Sequence, residues 1–234
     1  MEWFEELDFD ENPFDTNPKV FADKLVGFDQ VLEELLYRIN AGSLVFVEGT
    51  KGSGKTALLW NVIRHFRGRV VYVDCEKLTE DLNIESLIIN KYGLMGRLFK
   101  KMPENLVLLV DNVSTLSKTN AERIKYFFDQ GYLLSVVFTG TSFKKVNFSK
   151  SLLERIGNRI IKLPSIEAHQ AVALVRNRIG DIDIISDEII EELFEKSGKN
   201  PRQLLVNLEK IFSNAVESDD SQITKKNLKI IEGS

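Results

Sequence analysis

The sequence is poor in residues that staple a fold from outside. Cys75 is its single cysteine, which excludes an internal disulfide and fits a reducing cytosol. His65 and His169, its two histidines, are far apart and fall in helical patterns, so surface or packing roles explain them better than a zinc site. No apolar run exceeds six residues, too few to cross a bilayer. The opening MEWFEELDFDENPF is acidic, where a secretory signal is basic and then apolar. A cytoplasmic protein without membrane insertion is expected. Basic excess is missing too: 31 Lys and Arg face 35 Asp and Glu, for a net charge of −4. A chain that grips nucleic acid unaided carries a basic face or excess. Only a local group, Lys144, Lys145 and Lys150, leaves DNA contact open, against the simpler reading of a solvated loop. Internal repeats and low-complexity tracts are also lacking.

What is present suffices for one core plus a small companion: 234 residues, 43% hydrophobic and 28% charged. Short β-branched and leucine runs at 43–48, 70–74, 106–111, 133–139 and 159–163 read as strands. Helical patterns at 28–40, 55–66, 84–101, 119–130 and 150–157 accompany them. Near-continuous apolar strands that alternate with helices predict an α/β fold, a five-stranded parallel sheet covered on both faces. After Pro164 the strand signal stops, and 166–179, 187–197, 201–217 and 223–232 read as helices. The expected organisation is an N-terminal strap (1–25), a nucleotide-binding α/β domain (26–163) and a small all-helical lid (164–234). In the strap, Trp3, Phe4, Phe9 and Phe14 stand among acids. They would bury against the core or serve as anchors for a protein partner.

Between the first strand and its helix lies GTKGSGKT, residues Gly49, Thr50, Lys51, Gly52, Ser53, Gly54, Lys55 and Thr56. It fits G-x-x-x-x-G-K-[ST] in full, in the strand-then-helix context that gives the pattern meaning. The glycines let backbone N–H groups turn toward phosphate oxygens, and the helix N-terminus adds its partial positive charge. Lys55 would reach the β- and γ-phosphates of ATP, and Thr56 would place its hydroxyl on Mg²⁺. Asp111 ends the third strand, where an acid can hold the same ion through water.

With these residues in hand the chain resembles an AAA+ ATPase. VGFDQVLEELLYRIN (26–40), VVYVDC and SGKNPRQLL followed by ITKKNL are similar to segments of the replication-initiator (origin-recognition) group. FEELDFDENPFDTNP, FTGTS and LLERIGNRIIKLP resemble secretion-pathway and transposition-helper AAA ATPases. The resemblance spans about residues 9–230 and implies a P-loop core, ATP and Mg²⁺ as ligands, and ATP-dependent self-association. It implies that Thr141 (or Thr139, one alternation earlier) contacts the γ-phosphate or water. Arg155, with Arg159 as competitor, would reach a neighbouring subunit's γ-phosphate in trans. Arg202 would touch phosphate from the lid, and Val26 and Gly27 would line the adenine pocket. The initiators' DNA-reading winged helix has no counterpart before Ser234, which weakens the expectation of duplex reading.

One departure concerns rate. Where the family carries a catalytic glutamate, this chain has Asn112. An amide takes no proton from water, and general-base assistance is typically worth about 10²–10⁴-fold. Positioning and electrostatics would still act, so slow hydrolysis by a nucleotide-dependent switch is expected; Glu76, just beyond the second strand, is the alternative acid, against the simpler reading of a solvated residue that begins a loop. The switch would act in assembly or remodelling of a DNA-associated or multiprotein partner. A non-cycling ATP-bound scaffold is the alternative. A small-molecule kinase shares the loop but not the helical lid.

Overall fold

The computed structural model describes residues 2–78, 83–90 and 105–231. Five strands, Leu44–Glu48 (β1), Arg69–Asp74 (β2), Leu106–Asp111 (β3), Leu133–Gly140 (β4) and Ile160–Lys162 (β5), form one all-parallel sheet in the order β2-β3-β4-β1-β5. The helices are Asp29–Asn40 (α1), Lys55–His65 (α2), Ile84–Asn90 (α3), Lys118–Asp129 (α4), Lys150–Ile156 (α5), Ala168–Ile179 (α6), Asp187–Lys196 (α7) and Pro201–Glu217 (α8). The fold class is the expected one, an α/β P-loop core with a helical C-terminal part.

The chain divides into two compact units, one of Asp29–Lys51 and Leu58–Leu163, the other of Met1–Phe28, Gly52–Ala57 and Pro164–Ser234. The first contains the sheet. Every residue of β3 is buried, and β4 is buried at all but one position. Period-two alternation sends Phe46, Leu108, Val110, Val136 and Phe138 into one core and Val45, Val47, Val107, Leu109 and Val137 into the other. Each such side chain contributes about 1.5–3 kcal/mol on burial. The continuous apolar runs are therefore a consequence of two covered faces, not of unusual hydrophobicity. Local caps delimit the helices. Ser117 accepts from the Asn120 N–H to start α4, and Ser149 accepts from the Leu152 N–H to start α5.

In the second unit α8 starts with Pro201 in its first turn behind the cap Asn200, the arrangement that suits both residues. Phe14 is fully buried and packs edge-on to Phe212 of α8, with ring centroids 4.8 Å apart, while Trp3 stacks on Phe14. The N-terminal aromatics thus find their partner among the C-terminal helices. Arg178 fixes the same segment by donating to the carbonyls of Pro13 (3.0 Å) and Asp15 (2.9 Å), with its guanidinium over the Phe21 ring. Burial draws its pKa down to about 10, partly countered by the Asp15 charge.

Two expectations change. The helix over 223–232 is replaced by a short 3-10 turn, Asn227–Ile231, and Ile223 instead makes a parallel β-bridge to Ile185. Thr224 is the cause: its N–H and hydroxyl both bond the Asn227 side chain, a local alternative to the helical ladder. Of the helix expected over 84–101, the structure gives α3, and residues 91–101 lie outside those described.

Candidate functional site

In an open parallel sheet the carboxyl ends of the strands are where chemistry collects. Here they deliver Glu48 and Gly49 from β1, Asp74 from β2, Asp111 from β3 and Thr139 from β4. The Gly49 N–H donates to the Gly140 carbonyl at 3.1 Å, tying the exit of β1 to the end of β4. Thr50 and Lys51 follow at the surface.

The loop then closes on glycines that no other residue replaces without strain. Gly52 has φ +83 and Gly54 φ +97. A Cβ on Gly52 would fall inside the Asn200 carboxamide, and one on Gly54 would lie 3.2 Å from the Phe28 ring. Asn200 also accepts from the N–H groups of Arg202 (3.1 Å) and Gln203 (3.2 Å), so the cap of α8 and the loop glycine share one side chain. Lys55 opens α2 and is 7% exposed; Thr56 follows, half-buried. The Ser53 hydroxyl is buried and has no hydrogen-bond partner among the described residues. An orphaned hydroxyl, a buried cation and the first N–H groups of a helix form a polar cradle of the kind that takes phosphate oxygens. The residues present fit the phosphates of a nucleotide.

A second cluster forms where β2, β3 and β4 end. Asp111 is completely buried and accepts from the Thr139 hydroxyl, from the Tyr72 phenol (2.9 Å) and from the Asn112 N–H (3.1 Å). The Asn112 N–H also reaches the Thr139 hydroxyl oxygen at 3.1 Å. Asp74 sits beside Asp111 in the strand register, and its Oδ1 accepts from the Asn112 side-chain amide at 3.1 Å and from the Glu76 N–H at 3.2 Å. Asn112 adopts φ 56, ψ 50, a left-handed conformation that asparagine tolerates better than most side chains. The two acids leave a mark on their neighbours. Tyr72 is pushed well above the usual phenol range by burial and then by the Asp111 charge. Cys75 is pushed up to about 12, by burial first and then by Asp74 and Asp111. A buried carboxylate with hydroxyl neighbours is an oxygen-donor set of the type magnesium prefers.

The other expected residues have the following places. Thr141 lies just past β4 and is exposed; the threonine brought to Asp111 is Thr139. Arg155 is half-exposed and engaged within the chain, its Nε 3.2 Å from Asp129 and its guanidinium over the Phe128 ring. Arg159 donates to the carbonyls of Leu44 (3.2 Å) and Arg155. Arg202 is exposed near the start of α8. Val26 and Gly27 lie ahead of α1, with Gly27 against the Gln170 side chain. Glu76 is exposed, as are Lys144, Lys145 and Lys150.

Tyr72, Asp74 and Asn200 were not anticipated. For Asp74 a signal existed: VVYVD and LVLLVD end alike, and parallel pairing of consecutive strands puts the two aspartates side by side. The roles of Tyr72 and Asn200 had none, because each depends on a contact across a long sequence separation.

No curated protein matches the sequence. Among solved structures, the chain is similar in fold to Cdc6p from Pyrobaculum aerophilum (TM-score 0.75, 14% identity, 94% of this chain and 69% of that one). It is also similar to the Aeropyrum pernix Orc1 protein in complex with DNA (TM-score 0.74, 14% identity, 89% of this chain and 65% of that one). The Drosophila origin recognition complex bound to DNA gives a TM-score of 0.66 at 17% identity, covering 88% of this chain and 60% of that one. In the last two cases this chain spans less than two thirds of the other. Among the described residues no helix is long and apolar enough to cross a membrane. Residues 41–169, which run from the turn before β1 through the phosphate loop and all five strands into α6, match the family model described as AAA domain, and the chain belongs to that family.

Proposed function

We propose that the chain is an ATP-binding protein that hydrolyses ATP slowly with Mg²⁺, and that it works as a nucleotide-dependent switch in assembly or remodelling of a DNA-associated or multiprotein partner. The observation that carries the reading is the phosphate loop with its buried Lys55 and orphaned Ser53 hydroxyl, in a chain that also ends β3 in a fully buried Asp111. Residues 26–163 would form the nucleotide-binding domain, 164–234 the lid that carries Arg202, and 1–25 the strap. Thr56 and Asp111 would hold the metal, which supplies charge neutralisation on the phosphates when bound.

The residues of this chain divide the work by chemistry. Loop N–H groups and the Lys55 ammonium bind and orient the phosphates through charge-assisted hydrogen bonds. Thr139, Tyr72 and the Asn112 N–H hold the Asp111 carboxylate in one orientation. Asn112 offers no base, which is the reason for expecting slow turnover. The switch reading is supported by the family and by the fold it shares with proteins whose structures are described as bound to DNA. Self-association through Arg155 would require that arginine to leave Asp129.

The test is phosphate release by the purified chain with ATP and Mg²⁺, alongside nucleotide retention after gel filtration. Slow release that is lost in Lys55→Ala supports the switch. ATP retained intact over many hours supports the non-cycling scaffold instead.

A further inference from the structure

Positive charge is scarce in this acidic chain, yet RHFRGR (64–69) carries three arginines and a histidine, and no acid stands between Glu48 and Asp74. The run leaves the end of α2 and enters β2, so it lies at the rim where the strands begin, away from Asp74 and Asp111 at their carboxyl ends. Cations suit the last turn of a helix, which accounts for Arg64 and His65; Arg67 and Arg69 lie beyond that turn. Packing shapes the turn. The His65 Nδ1 donates to the Asn61 carbonyl at 2.9 Å, and a Cβ on Gly68 would fall inside the Phe66 ring, so the ring and the bare glycine lie against each other. Arg64, Arg67 and Arg69 are all exposed, and Arg69 begins an edge strand with only β3 beside it. On the same sheet face lies α1, whose Leu35 and Ile39 share a core with Leu58, Leu59 and Val62 of α2. It too ends at this rim, since it leads into β1, and its last turn carries Tyr37, 75% exposed. The nearest acids on α1 lie one turn back: Glu34, held by Arg38 at 2.7 Å, and the exposed Glu33.

We propose that this rim binds single-stranded nucleic acid, with Arg64, Arg67 and Arg69 on the phosphates and Tyr37 as a face for an unpaired base. The inference goes beyond the switch reading and does not depend on hydrolysis. Arginine stays charged, and its planar fork meets phosphate oxygens in pairs. Charge alone would suit any polyanion. The exposed ring beside it selects one with unpaired bases, because every base has a π-face and a duplex buries those faces. With a net charge of −4 the rest of the chain does not favour a polyanion, so binding is confined to this rim and depends steeply on salt.

Fluorescence anisotropy of labelled oligo(dT) and oligo(U), titrated with the full chain in the absence of ATP and over a range of salt concentrations, tests this. Three phosphate contacts predict that log K falls with log[salt] at a slope of about −2 on a single strand. Arg67→Ala should reduce the size of that slope by about 0.7, and replacing all three arginines by alanine should bring it toward zero. Tyr37→Ala should weaken oligonucleotide binding about tenfold at an unchanged slope, and should leave binding to heparin, a polyanion without bases, as it was. Replacing Lys144, Lys145 and Lys150 by alanine should leave the slope in place. Binding of either oligonucleotide with these responses supports the proposal, and a preference between the two assigns the sugar. No binding by the native chain at low salt, a slope that the arginine variants do not move, or an equal loss for heparin and oligonucleotide in Tyr37→Ala would overturn it. Capture by phosphatidylserine vesicles in place of the oligonucleotides would overturn it as well.

Discussion

The phosphate loop and the cluster where β2, β3 and β4 end are built on opposite plans. The loop is contiguous: eight residues, 49–56, spell a backbone path and place a lysine and a threonine on the helix that follows. The cluster gathers Tyr72, Asp74, Asp111, Asn112 and Thr139 from three strands, with partners up to 39 residues apart. The first owes its geometry to glycine and a helix end, the second to strand register and buried hydrogen bonds. Contiguous sites are specified by local conformation, so damage there acts through the backbone. Assembled sites are specified by the sheet, so damage there acts through single polar partners.

Short of removing Lys55, the largest expected effect comes from the assembled cluster. Asp111→Asn removes the buried charge that Thr139 and Tyr72 orient, and turnover should fall by about 10²–10³-fold while metal-free nucleotide binding persists. Phosphate release and titration of a fluorescent ATP analogue separate the two quantities. A loss of both would mean that Asp111 holds the fold and not the metal.

Gly52→Ala probes the loop. Its φ of +83 strains any side chain, and the new Cβ meets Asn200. The substitution should cost about 1–2 kcal/mol of stability, seen by urea unfolding, and weaken ATP binding as well. Unchanged stability would show that Asn200 moves aside without penalty.

Asn112→Glu sharpens the contrast further. Restoring the family's usual acid looks like a gain, yet here it puts a carboxylate against Asp74 on a left-handed backbone. The single variant should not raise kcat. Combined with Asp74→Asn, which removes the like charge, it should exceed the single variant by about tenfold, roughly 1.4 kcal/mol. A single variant faster than the native chain would show that Asp74 does not constrain position 112.

The smallest effect concerns Cys75. With its thiol pushed up to about 12 it stays protonated at neutral pH, so iodoacetamide should label it only after unfolding. The sign for stability follows. A folded pKa above the unfolded one leaves stability intact below the ordinary thiol range and erodes it as pH rises from there toward 12. Tyr72, also raised, adds to the same alkaline loss. Labelling of the folded chain at pH 7 would contradict the burial.

How legible each region was in the sequence follows from the same contrast. The five strands and the helices α1, α2, α4 and α5 could be read within a residue or two, because buried parallel strands and amphipathic helices write their periodicity locally. The loop's spelling needed only its two flanks. The like endings of VVYVD and LVLLVD hinted at Asp74 beside Asp111, but the Tyr72 contact could not be read, because it depends on a side chain crossing from β2 to β3. The misread segment at 223–232 failed for a related reason: a threonine–asparagine turn and a β-bridge outweighed a helical pattern. Arg155 illustrates the limit from the other side, since its Asp129 partner comes from α4 and is invisible in the LLERIGNR stretch.

We propose that this AAA-family chain turns over ATP with an amide where a glutamate is usual. The most direct measurement is single-turnover phosphate release from the purified protein, in excess over ATP and with Mg²⁺, compared with Lys55→Ala. The prediction is slow, complete release by the native chain and none by the variant. ATP recovered intact from the native chain, or equal release by both, would contradict it.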